Sequence, residues 1–161
     1  MAYVFETPHL GMQPIAATVL TAATAQPKAW KHGDIVRATD PTYGSGEFIY
    51  LKGAANTVVG SWVTYNSDAN TTTLLAANAI GPVAVAMSAN VASPSGWYQI
   101  QGKAIGLALA GFVDDANVYA TATAGSVDDA VVAGDRVKNA KGASAIGTPS
   151  GNVTIPSGTT Q

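Results

Sequence analysis

The sequence predicts a mainly β fold: an antiparallel β-barrel or sandwich of short strands, preceded by an extended N-terminal arm. From His32 onward, short runs rich in Val, Ile, Tyr and Phe are separated by clusters of Gly, Asn, Asp and Pro, as strands are by tight turns. Nine such runs recur at intervals of about ten residues, a spacing that suits antiparallel meanders and leaves no room for the helices of a βαβ fold. The one helical suspect in the body, Thr72 to Ala79, is too short to stand alone.

Residues 1–31 form the arm, because Pro8, Pro14 and Pro27 interrupt any long helix and no period is sustained. The arm is nevertheless apolar, with Tyr3, Val4, Phe5, Leu10, Met12, Ile15, Val19, Leu20 and Trp30, so it is expected to lie on a surface. Tyr3, Phe5, Leu10, Met12 and Trp30 are its candidate protein contacts, Trp30 at the junction with the body because tryptophan is favoured at interface hot spots.

The body spans residues 32–141. Its strands are expected at Asp34 to Ala38, Glu47 to Lys52, Thr57 to Tyr65 with a break at Gly60, and Thr72 to Leu75. Further strands follow at Pro82 to Met87, Gly96 to Gln101, Lys103 to Leu109, Asn117 to Thr121 and Asp135 to Lys138. Within PVAVAM, strand alternation puts Val83, Val85 and Met87 on one face and Ala84 and Ala86 on the other. Residues 142–161 make a tail rich in Gly, Ser, Thr and Pro, a composition normally found in flexible segments.

Composition narrows the function. Charged residues are 11% of the chain, against roughly 25% in soluble domains, so much of the surface is expected to be covered by partners. The eight basic residues are scattered and the net charge is −2, which argues against nucleic acid as a partner. Without cysteine there is no disulfide and no thiolate metal site. The most membrane-like stretch, Ile15 to Ala25, is too short to span a bilayer. Met1 to Pro14 carries no Lys or Arg and so makes a poor secretory signal, and the chain is expected to be made and kept in a cytoplasm, with no membrane partner.

Catalytic patterns are weak. His9 and His32 are the whole imidazole supply, and no G-x-S-x-G elbow accompanies either. The doublets Asp114-Asp115 and Asp128-Asp129 sit in FVDDANVY and SVDDAVV, which read as turns whose carboxylates bond nearby backbone N–H groups. A hydrolase using Asp114 or Asp128 with His32 has no supporting motif, and neither cofactor nor metal is expected. Trp62, Tyr65, Trp97 and Tyr98 offer an alternative ligand face, an aromatic platform for sugar, while the competing reading buries the two tryptophans in a core poor in large residues.

The order DIVRA, GSWVTYN, GPVAVAMSA, WYQIQGKAIGLALAGF, VYATATAGSVDD and GDRVKNAKGAS, from about Asp34 to Ser144, resembles the decoration (cement) proteins of tailed-bacteriophage capsids. Gly81 to Ala86, Trp97 to Gly102 and Gly134 to Val137 carry the resemblance. It implies a non-enzymatic, β-barrel-like protein, often a homotrimer, on the outer capsid surface of the virion, bridging subunits of the major capsid protein and stabilising the shell. The alternative is a carbohydrate- or receptor-binding β module of a phage tail or fibre.

Overall fold

The computed structural model describes residues 3–6, 15, 30–89, 95–145, 151–156 and 159–160, the last two segments as backbone. Among the described residues there are twelve strands and no α-helix. They are β1 (Val4–Phe5), β2 (Ile35–Asp40), β3 (Gly44–Lys52), β4 (Trp62–Asn66), β5 (Thr71–Leu74), β6 (Val83–Ala86), β7 (Ser95–Gly106), β8 (Asn117–Ala120), β9 (Val127–Asp128), β10 (Arg136–Gly142), β11 (Gly151–Pro156) and β12 (Thr159–Thr160).

The pairings close two rings. In the first, β3 pairs with β7, β7 with β6, β6 with β4 and β4 with β5, all antiparallel, and β5 returns to β3 through one parallel pair, Lys52 with Thr71. The side chain of Thr72 reinforces that thin seam, its Oγ1 donating to Lys52 O at 3.0 Å. In the second ring β7 pairs with β11, β11 with β10, β10 with β8 and β8 with β9. Beyond the end of β7 the chain closes this ring through a parallel bridge, Ala108 with Val127. At the edge of the first ring, β2 pairs with β3 and β1 with β2.

Side-chain alternation fills both rings. Ile49, Leu51, Val63, Ala84, Ala86 and Tyr98 pack inside the first, with Tyr65, Leu74 and Ile100 against them. A larger core, including Trp62, Val83, Val85, Ala104, Phe112, Val118, Val127 and Val137, fills the second. Strand β6 is buried on both faces because its valines enter one core and its alanines the other. Met87 departs from the expected face: β6 ends at Ala86, the chain bends, and Met87 joins a third cluster with Phe48 and Trp97.

The two expected strands Gly96 to Gln101 and Lys103 to Leu109 are largely one, β7, which serves both rings. Gly102 makes the passage, with φ of 103° in the region open to glycine. A Cβ there would lie 2.6 Å from Ser45 O, so the backbones of β3 and β7 touch without side chains between them. At Gly106 the constraint is purely spatial: a Cβ would sit 2.6 Å from Trp62 Nε1. The expected strand Thr57 to Tyr65 breaks at Gly60, φ 85°, and is regular only from Trp62. The helical suspect Thr72 to Ala79 is the end of β5 followed by a loop. The tail differs most from expectation, because β11 pairs along its whole length with Gln101 to Gly106 and β12 pairs with Val137 and Lys138.

Candidate protein-binding surfaces

The arm's described residues pack on the chain's own body. Tyr3 meets Phe48 edge-on at 4.8 Å between ring centroids, and its hydroxyl donates to Lys103 O at 3.0 Å. Phe5 lies 6.0 Å from both Trp30 and Trp97, and Trp30 meets Trp97 edge-on at 5.0 Å. Tyr50 closes the trough at 5.1 Å from Trp97, and Ile15 is buried in the same cluster. Strand geometry explains the trough: Phe48 and Tyr50 on β3 and Trp97 on β7 point away from the first ring, while Ile49, Leu51 and Tyr98 point into it. Tyr3, Phe5 and Trp30 are therefore intramolecular contacts here, each still partly exposed, and Leu10 and Met12 lie outside the described residues.

Burial raises the phenol pKa at three positions. Tyr3 is pushed up to about 12, chiefly by desolvation, with Gln99 beside it opposing the rise. Tyr50 is raised by burial, opposed by a hydrogen bond with Ser95, and Tyr65 is raised by burial alone.

The aromatic platform does not form. Trp62 belongs to the core of the second ring, Tyr98 to that of the first with Tyr65 packed beside it, and Trp97 to the trough under the arm. Trp62 and Tyr98 are wholly buried and Trp97 is 3% exposed, so a sugar ring has no shared face on which to stack. The reason is local: Trp62 and Trp97 fill volume that a chain with three Phe and three Met cannot otherwise fill.

His9 lies outside the described residues, while His32 sits 2.6 Å from Ser95 Oγ and stacks on Tyr50. The doublets take the turn role: Asp114 Oδ1 accepts from the N–H of Asp115, and Asp128 Oδ1 from that of Asp129. Among the described residues no group of three or more His, Asp or Glu is placed to hold a metal ion, and no helix is long and apolar enough to cross a membrane.

Sequence reasoning passed over the exposed aliphatic side chains. Val113, Val131 and Val132 follow or flank the two doublets and stand in water, as does Ile80. The signal was the pattern V-D-D-A-V-V-A-G-D, in which aliphatic residues continue past the strand's end into a turn. Two ties hold these loops together: the N–H of Val113 donates to Asp129 Oδ2 at 3.1 Å, and that of Asn78 to Asp135 Oδ1 at 2.6 Å. No protein-family model, no curated protein and no solved structure matches the chain.

Proposed function

We propose that this chain is a structural decoration (cement) protein, which binds the outside of an icosahedral phage head, bridges subunits of the major capsid protein and stabilises the shell. The reading is non-enzymatic, and the homotrimer and outer-surface location implied by the resemblance belong to it. The observation that carries it is the distribution of exposed aliphatic side chains on a chain only 11% charged. Val4 and Ile35 lie on the β1–β2 edge, Val58 and Val59 on the turn before β4, Ile80 on the β5–β6 loop and Val131 on the β9–β10 loop, all 48–83% exposed. A bridging protein needs apolar contact area at more than one place, because separate weak contacts engaged together give strong attachment.

Heads assembled from the major capsid protein of the same genome test this. Purified chain is expected to co-sediment with them and to raise the temperature at which they disrupt. Folded chain that stays in the supernatant at micromolar concentration overturns the reading.

A further inference from the structure

We propose that β2 takes in a strand from a different protein: an extended, proline-free segment, apolar at three alternate positions, that replaces β1. The choice of partner rests on the head-binding reading, under which that segment belongs to the major capsid protein. Of the two ends of the sheet, β9 is tied down, its Val127 bridging Ala108 and accepting from the N–H of Leu109 at 2.8 Å. The other end is β1 lying on β2, and β1 is two residues long.

Backbone groups along β2 turn alternately to its two neighbours. Asp34 O accepts from the N–H of Tyr50 on β3, and Arg37 O from that of Glu6 in the arm. Ile35, Arg37 and Thr39 therefore turn their N–H and C=O groups towards the arm. Val4 meets Thr39 and Glu6 meets Arg37, but Ile35, 58% exposed, has no residue of β1 opposite it. A ladder continued in this register would need the N–H of residue 8, and residue 8 is Pro8.

The side chains repeat the mismatch. Tyr3 and Phe5 pack into the aromatic trough, Phe5 opposite Ala38, and Val36 lines the same trough one step further along β2. The register sets Thr7, a polar residue, against that apolar position. The chain's own arm thus matches the edge as far as Glu6 and is chemically unsuited to the next two places. A segment with large apolar side chains in place of Tyr3, Phe5 and Thr7, and a residue with an N–H in place of Pro8, pairs on to Ile35 and covers Val36. Main-chain bonds then give affinity and the alternate side chains give specificity. A second copy brings the same Thr7 and Pro8, so exchanging arms gains it nothing.

Peptide exchange tests this. The probe is a fluorescently labelled peptide copying residues 2–10 with Thr7→Val and Pro8→Val, and the unaltered copy is its control. The receptor is the full chain carrying Tyr3→Ala with Phe5→Ala, which loosens β1, checked for unchanged far-UV circular dichroism. By fluorescence anisotropy the altered peptide is expected to bind about tenfold more tightly than the copy, the worth of one added backbone hydrogen bond. Ile35→Pro sets a ring where the strand must approach, at an edge that tolerates proline, and is expected to weaken the altered peptide by about the same factor. If the double variant does not fold, the wild-type chain replaces it, with the same order of affinities expected but both weaker because the tethered arm competes. A folded receptor that binds neither peptide at millimolar concentration, binds both equally, or is indifferent to Ile35→Pro overturns the proposal. Heads separate the two readings. Heads that bind wild-type chain and folded Ile35→Pro alike overturn the strand site alone, whereas peptide exchange by a chain that never binds heads sinks the head-binding reading alone.

Discussion

The hydroxyl of Tyr3 reaches Lys103 O on β7 while its ring meets Phe48 on β3, so one side chain pins β1 to both strands. Replacing it with Phe keeps the ring and removes the hydrogen bond, a loss of about 0.5–1.5 kcal/mol. Its folded-state pKa of about 12 lies above the ordinary value of 10.0, so the folded chain holds this proton more tightly than the unfolded one. That contribution is whole below pH 10 and is lost as pH rises through about 12. Phenolate absorbance near 295 nm is expected to show one high-pH ionisation fewer in Tyr3→Phe, and the variant's stability to fall less steeply over the same interval. A missing ionisation centred near the ordinary value of 10.0, and not near 12, would show that Tyr3 is not held as described. The sequence told that the arm's aromatics needed cover; it held nothing local to say that the cover is Phe48 for Tyr3 and Trp97 for Phe5 and Trp30, about 45 residues or more away. The same limit explains Trp62, whose burial depends on the absent Cβ of Gly106.

Most strands of the body were legible because strict alternation marks a sheet with different environments on its two faces, as in β6. β7 was legible in halves, since Gly102 looks like a turn residue and is instead a point where a continuous strand changes rings. β9, two residues long, and β11, in a Gly/Ser/Thr-rich segment, carry no comparable signal: their pairing is set by partner edges, and backbone hydrogen bonding is indifferent to side-chain pattern. Removing residues 151–161 would leave Gly102 to Gly106 of β7 without the partner β11 supplies along that stretch, Gln101 alone keeping its pair with Glu47 of β3. The truncated chain is expected to associate without limit as concentration rises, as exposed edges do. Light scattering checks this, and a stable, unaggregated truncation of wild-type thermal midpoint would show that β11 is dispensable.

At the scale of the molecule, the two rings share β7, and the sides of β6 face both cores. Neither ring keeps its wall when the other opens. Unfolding in urea is therefore expected to be a single transition, with tryptophan fluorescence, which reports Trp62 and Trp97 in separate clusters, superimposable on far-UV circular dichroism. Two displaced transitions would mean that the rings are independent units. The pairing of β7 with β11 also sets an order in time. During synthesis β3 to β6 emerge before β7 and can close the first ring on it, but the second ring waits for Gly151–Pro156, some fifty residues after the strand they must join. For that interval a nascent chain carries an open edge, and at about 5–20 residues per second the interval lasts several seconds. Crowded translation on one message would bring such edges together, so the yield of soluble protein should depend more on how fast this final stretch is made than on how stable the finished fold is.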